Sequence, residues 1–234
     1  MAGKDFIDIE LERDELHRKF GGGIPVGTIT LIEGRYGYGK SIICQRICYA
    51  ALKHCASVSY ISNELSTKDF INQMDSLNYD VTEFLLDMKL LFIPMFPLLG
   101  KVKFKRDLID SLMRATKIFE NDLIIIDTLS YLLVQENATE EKCFEIMKFF
   151  KRMSNLEKTI ILTVDPENLS SDLLNLVRSM CDIHLELSQK SFGGEIKRII
   201  SVNRFKRSKK PVEQIIAFRV EPKVGLIIDI SALV

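Results

Sequence analysis

Tryptophan is absent from the 234 residues, histidine occurs three times and proline six times. His17, His54 and His184 are far apart in the chain, so no histidine-based site can be assembled from sequence. There is no charge surplus either: Lys plus Arg and Asp plus Glu number 32 each, which gives no prior for nucleic acid or an anionic membrane. No apolar run approaches the roughly 18 residues of a membrane span. The opening Met1-Ala2-Gly3-Lys4-Asp5 soon becomes charged and has no signal-peptide core, so the expected place is the cytosol. The five cysteines are scattered and odd in number, which argues for free thiols in a reducing compartment. Cys44 and Cys48 sit one helical turn apart, but no second pair completes a metal site, and they read as small buried helix residues. No low-complexity linker or internal repeat divides the chain. With 47% hydrophobic residues it is long enough for a full core, and a single domain over 1–234 is expected, preceded by a short segment 1–13.

What the chain does have is Gly34-Arg35-Tyr36-Gly37-Tyr38-Gly39-Lys40-Ser41, a G-x-x-x-x-G-K-S phosphate loop. Glycines let the backbone curl so that consecutive N–H groups point at phosphate oxygens. Lys40 supplies positive charge at the β/γ phosphates, and the Ser41 hydroxyl is the expected Mg²⁺ ligand. Thr28–Glu33 before the loop is strand-like and Ser41–Leu52 after it is helix-like. That helix would present its N-terminus, including Ile42, to the phosphates.

Elsewhere, apolar strand-like runs alternate with longer amphipathic ones. Strands are expected at 57–62, 90–93, 123–126 and 159–164, and helices at 67–77, 105–119 and 140–150. Fully apolar strands separated by helices predict an α/β fold with a mainly parallel central sheet covered on both faces. The last third changes character. Strands at 183–187, 196–203, 213–220 and 225–230, the first two turning at Gly193-Gly194, predict an antiparallel extension. The apolar stretch 94–100 reads equally as an exposed docking loop or as core.

Leu123-Ile124-Ile125-Ile126-Asp127 resembles a Walker B strand, with Asp127 near the phosphates and holding Mg²⁺ through water. Glu64, following the strand that ends at Ser62, is the candidate to orient attacking water; the alternative is a solvated carboxylate that starts the next helix. Thr128, Ser130 and Thr163 are either γ-phosphate sensors or plain strand-end hydroxyls. The basic run Asn203–Lys210 has three readings. It is a solvated hairpin tip, or Arg204 and Lys206 reach a neighbouring subunit's γ-phosphate, or it is a nucleic-acid patch with Phe205 as its one stacking residue.

Three segments together resemble the RecA/KaiC-like ATPases: Phe20-Gly21-Gly22-Gly23-Ile24-Pro25-Val26-Gly27-Thr28 leading into the phosphate loop, Ser59-Tyr60-Ile61-Ser62-Asn63-Glu64, and Arg198–Lys206. The resemblance runs from about Asp14 to Ile230 and implies a RecA-like P-loop NTPase core that binds ATP and Mg²⁺. As a single short KaiC-like domain, the chain is most similar to the FlaH (ArlH) family of archaellum accessory proteins, through Val26–Ile29, Ser41–Arg46 and Tyr60–Ser62. That likeness implies a homo-oligomeric ring, a hexamer, at the cytoplasmic base of the membrane-embedded archaellum motor. It also implies contacts with the motor ATPase FlaI and the membrane platform FlaJ. The neutral charge balance and short connections argue against a nucleic-acid partner. The chain departs from KaiC-type domains in one respect: Glu64 is followed by Leu65, where two adjacent carboxylates are usual. ATP binding is therefore expected and hydrolysis left open. Three readings follow: a nucleotide-dependent assembly module, an active ATPase with Glu64 as base, and a RecA/RadA-type DNA-binding ATPase. No N-K-x-D guanine motif is present.

Overall fold

The computed structural model describes residues 5–12, 14–95, 108–192 and 195–229. A small antiparallel pair, β1 (Phe6–Ile7) with β2 (Ile24–Pro25), encloses the short helix α1 (Leu16–Lys19). The main body follows as β3 (Ile29–Glu33), α2 (Lys40–Lys53), β4 (Val58–Ser62), α3 (Thr67–Ser76), α4 (Thr82–Leu86) and β5 (Leu90–Pro94). Then come α5 (Leu108–Arg114), a 3₁₀ turn (Thr116–Glu120), β6 (Leu123–Asp127), α6 (Leu129–Gln135), α7 (Glu140–Asn155), β7 (Thr159–Val164) and α8 (Ser171–Met180). The chain closes with β8 (Ile183–Phe192), β9 (Glu195–Phe205), β10 (Ile215–Glu221) and β11 (Gly225–Ile228).

Among the described residues, nine strands form one sheet in the order β11-β10-β9-β8-β3-β7-β6-β4-β5. From β8 to β5 neighbouring strands are parallel; β8 to β11 are joined antiparallel. The expected mainly parallel sheet with an antiparallel extension is what forms. Side chains alternate across each strand. Ile32, Tyr60 and Ile125 pack with α2 and α3 on one face, and Ile29, Leu31, Ile124 and Ile126 pack with α5 to α8 on the other. Each buried side chain of this size contributes about 1.5–3 kcal/mol, so the two covered faces hold the sheet together. Ile7 and Ile9 join the first of these cores, so the described part of the N-terminal segment is seated on the main body.

Several expected elements change in extent. The helix expected over 105–119 ends at Arg114, and the chain tightens into 3₁₀ geometry that buries Ile118 and Phe119. The helix expected to stop at Phe150 continues to Asn155, with Ser154 buried in its last turn. The last strands are longer or shifted by a few residues. α6 and α8 go beyond the elements expected from sequence. The Gly193-Gly194 turn and residues 96–100 of the apolar stretch lie outside the described residues.

Candidate functional site

β3 is central in the sheet, and β4, the next strand in the chain, is separated from it by two strands, β7 and β6. Chain leaving the end of β3 therefore opens onto a crevice at the carboxyl ends of the parallel strands, where open α/β sheets take ligands. The loop Gly34–Ser41 fills this position and leads into α2. Helices α3, α7 and α8 each begin with a hydroxyl, from Ser66, Thr139 and Ser170, that accepts a backbone N–H. α2 begins at Gly39 with no side-chain cap, so its first N–H groups face the crevice without one. Gly39 sits at φ 101°, and a Cβ there would meet the Phe218 ring at 3.2 Å. Gly37 at φ 80° has open space around it. Lys40 Nζ folds back to donate to the carbonyls of Gly34 at 2.6 Å and Arg35 at 3.1 Å. An uncapped helix start, a lysine on loop carbonyls and glycines with positive φ make a cradle that suits an anion of phosphate type.

The cleft beside the loop has a volume of about 340 Å³. Tyr36, Gly37, Gly39, Lys40, Ser41 and Ile42 line one side, and Glu64, Gln73, Arg198 and Val220 the other. Tyr36 is exposed on the rim, Tyr38 packs onto the α2-side core, and Arg35 pairs with Glu167 at 3.0 Å. The bulky tyrosines thus have places: one outside the cradle, one beneath it.

Asp127 ends β6 and is buried. Its Oδ1 accepts from Thr163 Oγ1 at 2.7 Å and its Oδ2 from Tyr60 at 2.9 Å. Burial, then the Asp127 charge, pushes the Tyr60 hydroxyl well up, so it remains a donor. A carboxylate offers about four acceptor positions, so these two bonds orient Asp127 and leave it able to accept from metal-bound water. Ser130 Oγ accepts from the Asp165 amide at 3.0 Å, a structural bond, and Thr128 is tied to Asn63 through its main chain, its carbonyl accepting from Asn63 Nδ2 at 2.6 Å. Of the three, Thr163 is the one hydrogen-bonded to Asp127.

Glu64 does not start a helix; α3 begins three residues later behind its cap Ser66. Its side chain is solvent-accessible yet flanked by the cleft. Partial desolvation there, then the charges of Asp127 and Asp165, push its carboxyl pKa up, opposed by Lys40. A raised pKa makes a better proton acceptor.

Arg204 and Lys206 are remote from the loop in their own chain. Arg204 lies across from His184, and Lys206 Nζ lies 3.3 Å from Asp182 Oδ1, near the start of β3. The basic run is anchored as well as solvated. Arg207 donates to the Gly27 carbonyl at 2.7 Å, Lys209 stands 4.1 Å over the Phe6 ring, and Phe205 packs against Phe20. With Phe205 turned inward, the patch has no exposed stacking residue for a nucleic acid.

Two features of the site are missed by sequence reasoning. Arg198 enters the cleft because antiparallel β9 starts at the loop end of the sheet; its Nε is buried with no hydrogen-bond partner among the described residues. Glu33, at the root of the loop, is buried in a pair with Arg178, and His184 Nε2 lies 3.0 Å from its Oε2. His184 is thus isolated in sequence but not in space, and the same holds for His17, which lies with Asp8 and Glu10 in a loose cluster. Burial alone would raise the Glu33 pKa, but the bonds from His184 and Arg178 override it and hold it at about 2. A depressed carboxylate contributes stability above its unfolded-state pKa and loses it as pH falls through the folded one. We expect Glu33→Gln to flatten the acid limb of stability between about pH 4.5 and 2, measured by urea unfolding across that range.

Comparison with known proteins comes to the same fold. The family model for the KaiC ATPase matches residues 13–231. The archaeal flagellar ATP-binding protein FlaH of Methanocaldococcus jannaschii is 37% identical over 233 residues, covering 100% of both chains. The protein of the same name from Methanococcus voltae is 36% identical, over 97% of this chain and 99% of its own. The crystal structure of the flagellar accessory protein FlaH from M. jannaschii superposes with a TM-score of 0.90, covering 97% of this chain and 100% of that one. This chain belongs to the KaiC-type ATPase family and, within it, to the FlaH proteins.

Proposed function

We propose that the chain binds ATP with Mg²⁺ in the cleft at the head of α2 and serves the archaellum motor as a nucleotide-dependent assembly module. The observation that carries this reading is the uncapped α2 start with Lys40 on the loop carbonyls, in a cleft shared with Glu64 and close enough to buried Asp127 for its charge to act on Glu64. Relatives of full length are named flagellar ATP-binding proteins, which supports the nucleotide and the setting. The loop residues Gly34 to Ile42 would hold the phosphates. Ser41 and Asp127 would hold the metal, whose charge when bound neutralises phosphate oxygens. Arg198 adds a cation in cis. A ligand that binds one conformation more tightly shifts assembly without turnover. In this reading the nucleotide sets ring assembly and affinity for FlaI and FlaJ, with Arg204 and Lys206 of one subunit approaching the nucleotide of the next.

The raised pKa of Glu64 favours a second reading, an ATPase in which Glu64 accepts a proton from the attacking water. Single-turnover incubation with ATP, followed by identification of the bound nucleotide, separates the two. ATP held intact for hours supports the switch. If ADP forms, Glu64→Gln is expected to slow its formation by about 100-fold or more while nucleotide affinity stays within a few-fold. Equal ADP formation in both proteins would remove Glu64 from the chemistry.

A further inference from the structure

Glu33 immediately precedes Gly34, so whatever holds Glu33 holds the root of the phosphate loop. Arg178 does so from α8: its guanidinium forks onto the carboxylate, with Nε 2.8 Å from Oε2 and Nη2 on Oε1. Arg178 lies in the last turn of α8, where carbonyls lack partners within the helix. Two carbonyls at that end, of Arg178 and Cys181, instead accept 2.9 Å bonds from Arg204 Nη1. A cation at a helix C-terminus also complements the dipole. One residue thus bonds through its side chain to the loop root and through its main chain to the basic end of β9.

We propose that Arg178 is a positioning residue that couples the phosphate loop to Arg204. The inference rests on the nucleotide reading for its meaning, though the contacts themselves do not depend on it. Arg204 is exposed, and its two hydrogen bonds are the kind that a competing anion can replace. When Arg204 swings to an anionic group carried by a second copy of this chain, the end of α8 loses its donor. The last turn loosens, and Glu33 is held less firmly. The coupling is reciprocal: an anion in the loop that draws Lys40 off the Gly34 carbonyl changes the setting of Glu33, and through Arg178 the grip on Arg204.

Hydrogen exchange of the nucleotide-free, full-length protein tests this, because no phosphate is present for Arg204 to touch. Arg204→Ala is expected to speed exchange at the amides of Gly34 to Ser41 by about fivefold, and Arg178→Ala by at least as much. The double variant should add little to Arg178→Ala, because the link is already cut. Arg178→Lys, which keeps a charged donor for Glu33, should return most of the protection. If Arg178→Ala does not fold, Arg204→Ala and Arg178→Lys carry the test. Faster exchange confined to the end of α8, with the loop at its wild-type rate in Arg204→Ala, would overturn the coupling, as would additive effects in the double variant. Titration of ATP into Lys40→Ala tests the nucleotide reading separately. Coupled exchange in a protein that binds no ATP keeps the link and discards that reading.

Discussion

Lys40→Ala is expected to weaken ATP binding by about 100-fold while leaving the fold intact. Lys40 Nζ touches two carbonyls, those of Gly34 and Arg35, both in the loop itself. Neither belongs to the sheet, so losing their donor costs little stability. A bound phosphate, by contrast, loses a charge-assisted hydrogen bond worth about 1.5–3 kcal/mol, and with it the nearest point charge on the loop. Arg198 lines the same cleft and leaves a residual attraction. Isothermal titration of ATP into both proteins, with thermal unfolding alongside, checks the claim. An unchanged Kd with unchanged stability would remove the phosphates from this loop.

The loop was legible because its signal is local. A strand, six intervening residues and a helix are contiguous, and the glycines announce the backbone they require. Asp127 was legible for a related reason: an unbroken apolar strand in a parallel sheet points its last residue at the ligand edge. α6 was hidden by the same property. Leu129-Ser130-Tyr131-Leu132-Leu133-Val134-Gln135 continues the apolar run beyond Asp127 and Thr128 without glycine or proline, and periodicity cannot divide so short a segment. α8 did carry a signal, a Ser170 cap with Leu174 and Val177 spaced for one buried face. The Glu33 cluster had none. Its partners Arg178 and His184 are 145 and 151 residues away, and only the order β8-β3 and the crossing of α8 bring them together. Arg198 is the same case: the direction of β9 decides that it, rather than Arg204, stands at the cleft of its own subunit.

Arg46 shows how far sequence can mislead about a charged residue, and it gives the largest expected loss of stability. An arginine in a helix reads as solvated. Here neither Arg46 nor Asp14 is more than 1% exposed at the side chain. Nε and Nη2 donate to the two Asp14 oxygens at 3.0 and 2.6 Å, and Nη1 to the Ile9 carbonyl at 2.6 Å. The pair fastens the N-terminal segment across α2, more than a turn below the loop. Removing one member strands the other's charge in the core, which costs about 3–5 kcal/mol. Arg46→Ala and Asp14→Ala should each lower Tm by on the order of 10 °C. A double replacement with well-packed apolar residues, Arg46→Met with Asp14→Leu, should be less damaging than either single change, because no charge is left uncompensated. The Ile9 carbonyl still loses its donor, so recovery should be incomplete. Below the melting range the Arg46→Ala protein should bind ATP within a few-fold of wild type, since the Gly34–Ser41 backbone is untouched. If the single variants melt at the wild-type temperature, the pair is not what holds the segment down. A double variant worse than both singles would mean that the ion pair itself, beyond the avoidance of a stranded charge, stabilises the joint.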